Sequence, residues 1–242
     1  MPERSPHIHV ALIDTDKAIG DRLLLRRVAA ALERQVNVHF APHWHVTATV
    51  TVGTERGHHP VRLELHDEKR PAAGEHLPRE RDGARRPYGS VYLKTLRHPG
   101  DWTRVASHEL LEMLADPLVL KYEKGPDPQH PRKTASYLVE IGDPCNLEWY
   151  DIDGIKVSDF VLPSFYHAKA AGPYSHHRTI KKPLSVREGG YLAFTRPESP
   201  KAWFWLIHRP RTPRPVVERV HLAAGRSDVR EQIDALARAA LE

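Results

Sequence analysis

The pattern of apolar and polar positions predicts a chain in which strands and helices alternate. Residues 8–13 form a short apolar run typical of a buried strand, and residues 46–52 intersperse Val with Thr, as in a strand with one exposed face. Between them, residues 21–34 repeat Leu and Val at helical spacing, which predicts an amphipathic helix preceded by Asp16 or Gly20. A strand, a helix and a strand in this order open a fold of the α/β (α+β) class.

Further strands and loops continue this pattern along the chain. Apolar or β-branched segments predict strands at residues 36–40, 61–65, 90–95, 137–141, 191–194 and 202–207. Residues 71–87 and 121–133 are polar and rich in Gly or Pro, so both are predicted to be loops. Residues 149–157 predict a hairpin, because Asp153-Gly154 is a preferred pair for its tight turn.

The C-terminal part, from about residue 196 to residue 242, is rich in Pro and ends in a predicted helix. That helix spans residues 227–241, and Ser227 is its predicted cap. The chain has 242 residues, of which 40% are hydrophobic, enough to fill a substantial core. We expect residues 1–242 to form a single domain.

The helix predicted over residues 102–115 has an apolar face of residues spaced three and four apart: Trp102, Ala106, Leu110, Met113 and Leu114. Asp101 offers a side-chain oxygen to cap the first turn. Pro117 disfavours helical geometry at Asp116 and so ends the helix. We therefore expect one face of this helix to pack on the core.

The same helix carries three side chains suited to metal chemistry, His108, Glu109 and Glu112. Four residues make slightly more than one turn, so His108 and Glu112 lie on one face and both can bind one cation. Glu109 lies roughly 100° around the helix, where its carboxylate can serve as general base towards a metal-bound water. The alternative is a solvated His and Glu on an ordinary surface, but the neighbouring residues are apolar, and titratable groups near a core need a partner.

A metal site needs a third protein ligand, and Glu140 and Asp143 are the preferred candidates. They follow the apolar strand predicted at residues 137–141, just where Gly142 and Pro144 turn the chain. One would bind the metal, and the other would orient His108 or the water. Asp116, one turn beyond Glu112, is a further candidate. The alternative for Glu140 and Asp143 is a turn in which a carboxylate accepts backbone hydrogen bonds.

The segment from Ser107 to Pro117, with Val-Glu-Ile-Gly-Asp-Pro at residues 139–144, resembles an uncharacterised bacterial and phage group of zincin-like proteins, related to zinc metallopeptidases. The resemblance covers chiefly residues 87–165. It implies a zincin-like fold, with a twisted mixed sheet whose edge strand lies over the active-site helix, and a long N-terminal helix. It also implies that residues 88–95, or a neighbouring strand, present backbone groups to an extended substrate.

The resemblance further implies a hydrolase of peptide bonds that binds zinc or another divalent cation. Zincins are marked by His-Glu-x-x-His, whereas position 112 of this chain is Glu. A site with one imidazole and several carboxylates is less selective for zinc. Tyr166 and His176 are candidates to bind the substrate, as donors to a developing oxyanion, although a core aromatic and a solvated loop residue are equally compatible with the sequence.

Charge and composition restrict the other classes of function. The 36 Lys and Arg against 31 Asp and Glu give a formal charge of +5. Much of the excess lies in residues 79–86 and 209–214, which are predicted to be solvated loops and not a nucleic-acid interface. No run of about 18 apolar residues could cross a bilayer, and Cys145 is the only cysteine. We therefore expect a cytoplasmic protein that does not bind membranes.

These observations favour a metal-dependent hydrolase, a zincin-like metallopeptidase in which Glu109 acts on metal-activated water and a peptide or protein is the substrate. A second hypothesis is a zincin-like module that binds a metal or a partner without catalysis. A third is nucleic-acid binding through the basic loops, which predicts affinity that falls steeply with salt.

Overall fold

The computed structural model describes residues 5–53, 61–222 and 229–241. The chain forms two compact units, each with its own sheet. The first unit lies within residues 1–119 and 149–158, and the second lies within residues 120–148 and 159–242.

The first unit contains a five-stranded sheet and three helices. The strands are β1 (His7–Asp14), β2 (Thr47–Val52), β3 (Val61–His66), β4 (Gly74–Arg81) and β5 (Ala84–Tyr92). The helices are α1 (Arg22–Arg34), α2 (Ala41–Trp44) and α3 (Trp102–Ala115), and strands β8 (Trp149–Ile152) and β9 (Ile155–Ser158) form a separate hairpin. The strand order is β2-β1-β3-β5-β4. All neighbours are parallel except β4, which runs antiparallel to β5 at the edge.

The second unit contains a five-stranded antiparallel sheet of order β12-β11-β10-β7-β6. Its strands are β6 (Tyr122–Pro126), β7 (Thr134–Leu138), β10 (Tyr191–Arg196), β11 (Ser199–Ile207) and β12 (Val216–Arg219), and its helix is α4 (Val229–Leu241). Tyr137 and Phe194 lie in register on β7 and β10, and both are fully buried. With parallel and antiparallel strands and helices, the expectation of a mixed α/β fold is confirmed.

One face of the first sheet packs against α3. Val10, Leu12, Leu63, Leu65 and Val91 are fully buried. They alternate along β1, β3 and β5, so they share one face of the sheet. Gly74 of β4 and Gly89 of β5 lie on the same face, and a Cβ on either would contact side chains of α3. The absence of side chains there lets the helix lie close to the strands.

A buried polar network holds α3 against the hairpin of the same unit. The Ser107 hydroxyl donates to Gln35 Oε1 at 2.7 Å and accepts from the backbone N–H of Ser158 at 2.9 Å. The Gln35 amide in turn donates to the carbonyl of Ser158 at 2.9 Å. Buried polar groups that satisfy one another in this way fix the rotation and height of a helix. This network therefore positions His108 and Glu109, which follow Ser107 directly.

Several predicted elements are found where expected. α3 has the predicted bounds, α1 begins after Asp21, whose side chain accepts from two backbone N–H groups, and α4 matches most of the predicted terminal helix. Ser227, the predicted cap of that helix, lies outside the described residues. The β8–β9 hairpin turns at Asp153 and Gly154, both with positive φ, as its tight turn requires. The long N-terminal helix of the zincin resemblance stays a prediction: α1 has 13 residues, and further helical turns follow it as far as Trp44.

Residues 36–40 were wrongly predicted to be a strand. They continue α1 as a wider helical turn, Gln35–Phe40. The alternation of Val36, Val38 and Phe40 suggested a strand, but only Val36 and Phe40 are buried, and the side chain of Val38 is 57% exposed. Burial four residues apart is a helical pattern, and packing overrides the β-propensity of valine.

The predicted loop at residues 71–87 is also wrong, because most of it is the β4–β5 hairpin. Asp82 and Gly83 form its two-residue turn with positive φ. The prolines and charges that suggested a loop are typical of a sheet edge: Pro78 stands opposite Pro87, and the outer end of β4 carries Arg79 and Glu80. In the same way, the predicted loop at residues 121–133 contains the edge strand β6, and the Pro-rich C-terminal part contains β12.

The predicted cap of α3 is corrected as well. Asp101 stands at the N-terminus of the helix, but its carboxylate binds Lys156 Nζ at 2.9 Å and makes no capping hydrogen bond within the described part of the chain. Across the same residues, no helix combines the length and the apolar character needed to cross a bilayer.

Candidate metal centre

The three predicted residues of α3 are all buried. The exposed fractions of His108, Glu109 and Glu112 are 7%, 6% and 1%. The prediction that the helix has one buried face is too narrow, since every residue of α3 except Arg104 is buried. Ionisable groups withdrawn from water need charged or polar partners. A solvated surface helix, the alternative for this array, therefore does not describe these side chains.

Glu112 lies between two imidazoles. Its Oε2 atom is 3.3 Å from His108 Nε2, four residues before it on α3. The same oxygen is 3.4 Å from Nδ1 of His76, a residue of β4. His76 Nδ1 also lies 3.8 Å from Glu109 Oε2. Two imidazoles and two carboxylates from a helix and an edge strand thus converge on one buried region.

These distances fit a cation. With metal bonds of about 2.1 Å, the ligand atoms of a tetrahedral zinc site lie roughly 3.4 Å apart. Ligand atoms of His76, Glu109 and Glu112 all lie within 4.8 Å of one another, close enough to hold an ion. Imidazole and carboxylate are the groups that bind zinc and its neighbours in the first transition series. The donor set therefore suits a divalent metal.

His76 is a residue that sequence analysis missed. The polar, Gly- and Pro-rich sequence around it predicts a loop, whereas His76 lies on β4. In the hairpin register it pairs with Gly89 of β5, on the face of the sheet that lies under α3. The exposed fraction of His76 is 1%. The local signal was the Asp82-Gly83 pair, which indicates a hairpin turn between two polar segments. Side chains of such strands alternate between the two faces of the sheet, which would place His76 on the inner face.

The sheet approaches Glu109 closely at Gly74. A Cβ on Gly74 would lie less than 3 Å from the Glu109 carboxylate, and 2.7 Å from Cγ1 of Val105. A glycine here allows β4 to run directly alongside this face of α3. Because His76 follows two residues later on the same strand, the close approach at Gly74 also sets the distance between His76 and the helix.

Burial changes the acidity of Glu109. Loss of solvation raises the pKa of its carboxyl group above the ordinary value, and the charge of Glu112 adds to the rise. His76 and His108 act in the opposite direction and lower the pKa. A carboxylate whose pKa is shifted towards neutrality is a better proton acceptor and donor at physiological pH. The environment of Glu109 is thus compatible with acid–base chemistry.

The other predicted metal ligands, Asp116, Glu140 and Asp143, lie outside α3. Asp116 follows α3 directly and is 2% exposed. Glu140 and Asp143 belong to the second unit, where they are 2% and 3% exposed. Glu140 lies two residues beyond β7, and Asp143 begins a short helical turn, Asp143–Cys145. Both are buried, and their role as metal ligands stays a prediction.

The two predicted substrate-binding residues also belong to the second unit. Tyr166 is 1% exposed, and its hydroxyl donates to the backbone carbonyl of Glu140 at 3.3 Å. The ring of His176 stacks on Phe160, with ring centres 5.2 Å apart and an interplanar angle of 5°. Both arrangements are those of packed aromatic residues. A catalytic role for either residue stays a prediction.

Acidic partners balance several charges of the basic segments. Arg79 lies over the ring of Tyr88, 3.6 Å from its centre, and also within 3.6 Å of Glu75. Arg209 binds the carboxylate of Glu218 through two nitrogens, at 2.8 and 2.7 Å. These contacts use charge that a nucleic-acid interface would direct towards phosphates.

The comparisons with known proteins do not add to this picture. No protein-family model, curated protein or solved structure matches the chain.

Proposed function

We propose that this chain is a divalent-metal-dependent hydrolase with a zincin-like site on α3. The observation that carries the proposal is the buried convergence of His108, Glu109 and Glu112 with His76, at distances that suit metal ligands. An antiparallel edge strand beside the helix, the arrangement that the zincin resemblance implies, also supports it. Zinc is the expected metal, and a peptide or protein is the expected substrate.

The residues of α3 would have two roles, metal binding and proton transfer. His108 and Glu112 stand one turn apart and would hold the cation, which when bound makes water more acidic and polarises a carbonyl group. Glu109 would take the proton from the attacking water and pass it to the leaving group. Burial raises its pKa, the direction that makes a carboxylate a stronger proton acceptor.

A Glu109→Gln variant separates these roles. The amide keeps the shape of the side chain but cannot accept a proton, so we expect metal binding to persist and hydrolysis of a peptide mixture to fall by at least about a hundredfold. Glu80→Gln, an exposed substitution on β4, is the matched control and should leave the rate unchanged. The assay compares zinc-loaded protein with chelator-treated protein, using mass spectrometry of the peptides. Equal rates for wild type and Glu109→Gln would contradict the proposed base.

A non-catalytic metal module is the second candidate, favoured by the burial of all four side chains. A structural zinc has four protein ligands, whereas a catalytic zinc keeps one position for water. X-ray absorption of the zinc-loaded protein counts the ligands. A shell without an oxygen from water, together with no cleavage of any peptide, would favour the structural role over hydrolysis.

A further inference from the structure

We propose that His76, Glu109 and Glu112 form a second cation site, next to the one proposed on α3. This inference rests on the proposed metal centre and adds a means of regulation to it, because the second site includes Glu109, the proposed base. Each site would have its own histidine, His76 or His108, and the carboxylate of Glu112 would be common to both.

The three side chains of the second site are buried and lie close together. His76 Nδ1 is 3.4 Å from Glu112 Oε2 and 3.8 Å from Glu109 Oε2. The ligand atoms of these three residues form one group in which every pair lies within 4.8 Å, and His108 belongs with Glu112 to a different group. Two groups that have one carboxylate in common fit two ions better than one.

A carboxylate can bind two cations at once, because each of its two oxygens is a ligand. The ions of such two-metal sites lie about 3.5–4 Å apart. Glu112 is suited to this role, since its Oε2 atom lies at nearly equal distances from His76 Nδ1 and His108 Nε2. Two divalent ions so close together repel each other, so the second should bind more weakly than the first. It should therefore be present only while free metal is in excess.

The backbone of β4 holds His76 beside the helix. β4 pairs with β5 along its whole length, and His76 lies in register with Gly89, which has no side chain to separate the strand from α3. Two residues before His76, a Cβ on Gly74 would meet the side chain of Glu109. A ligand on a strand that is fixed on both sides is placed more precisely than one on a loop.

The donor set defines the class of ion and the effect of binding it. One imidazole and two carboxylates suit Zn²⁺ and other divalent ions of the first transition series. An ion in the second site would bind the carboxylate of Glu109, which could then no longer accept a proton from water. Excess metal should therefore slow the reaction that the first ion supports.

Equilibrium dialysis of the full chain against increasing Zn²⁺ tests the second site. Wild type should bind one ion tightly and a second one weakly. We expect His76→Ala to keep the tight ion and to bind the weak one at least about tenfold less well, since losing a ligand costs no less than losing a group that orients one. Surface histidines also bind zinc weakly, so His43→Ala, which removes an exposed histidine of α2, is the matched control and should behave like wild type.

Glu109→Gln provides a second variant, in case His76→Ala does not fold. An amide is a poorer metal ligand than a carboxylate, so this protein should also keep the tight ion and lose the weak one. Circular dichroism of each variant shows whether it has folded. In the wild type, hydrolysis of a peptide mixture should fall over the range of free zinc in which the second ion binds.

Cobalt tests whether the two ions share Glu112. Two Co²⁺ ions joined by one carboxylate couple magnetically, so their electron paramagnetic resonance spectrum should differ from the sum of two separate ions. Uncoupled spectra, unchanged binding of the weak zinc ion by folded His76→Ala, or loss of the tight ion from it would each overturn the second site. The proposed metal centre would still stand in those cases, because wild type would retain one tight ion. A wild type that binds no zinc would contradict both proposals.

Discussion

At the scale of single residues, Glu112 is the central side chain of the proposed metal centre. Its carboxylate is 1% exposed and stands between His76 and His108. The helical spacing of His108, Glu109 and Glu112 could be derived from the sequence, because residues four apart on a helix always share a face. The position of His76 could not be derived from the sequence. It depends on the register of the β4–β5 hairpin, which brings His76 next to helix residues that are 32 or more positions later in the chain.

Glu112→Gln tests this central position. Replacing Glu112 removes the carboxylate oxygen beside the two buried imidazoles, and a buried polar group that loses its partner costs about 1–3 kcal/mol. We expect the metal-free variant to unfold at lower denaturant concentration than wild type, and its zinc affinity to fall at least about a hundredfold. Urea titration and chelator competition measure the two effects. Wild-type stability together with wild-type affinity would show that Glu112 is not part of the centre.

At the scale of elements, the approach of β4 to α3 is the feature that builds the site. Gly74→Ala should force the strand away from the helix, because the new methyl group meets both Glu109 and Val105. Overpacking of this kind costs about 1–3 kcal/mol. His76 would move with the strand, so we expect zinc affinity to fall as well.

The control for this change is Gly100→Ala, where the methyl group would enter open space just before α3. Thermal unfolding and zinc titration of both variants give the comparison. A Gly74→Ala protein that binds zinc as tightly as Gly100→Ala would contradict the idea that this contact sets the position of His76.

Elements also show where prediction from sequence succeeds and where it fails. α3 and the β8–β9 hairpin were predicted because their signals are local: an apolar repeat closed by Pro117, and an Asp153-Gly154 turn. The β4–β5 hairpin was missed because an edge strand tolerates the charges and prolines that also mark loops. Residues 36–40 were misassigned because their helix is stabilised by packing, which a short sequence window does not contain.

At the scale of the whole molecule, the two units should respond to different substitutions. Asp127, in the second unit, is 1% exposed and binds Arg196 through two nitrogens. Burial by itself raises the pKa of Asp127, but hydrogen bonds from Arg196 and from the backbone N–H groups of Gln129 and His130 outweigh it, and the pKa lies below its ordinary value. The ionised form is therefore the one that the fold stabilises.

This shift predicts a pH dependence with a definite sign. A carboxyl group whose pKa is lowered by folding adds stability that is complete above its unfolded value, about 3.9, and is lost as the pH falls through the folded value. We expect Asp127→Asn to unfold at a lower temperature than wild type at pH 7, and the difference to shrink in the acid range. Its zinc content should equal that of wild type, because the metal centre proposed on α3 and β4 lies in the first unit. A difference in melting temperature that grows towards acid would contradict this reasoning.

The metal content of the purified chain tests the central claim most directly. After reconstitution with zinc and removal of free metal, elemental analysis of wild type should give about one equivalent of metal per chain, retained against a weak chelator. His108→Ala, folded by circular dichroism, should retain less than about a tenth of that amount, while Glu80→Gln should match wild type. A wild-type protein without bound metal, or a His108→Ala protein with full content, would contradict the account.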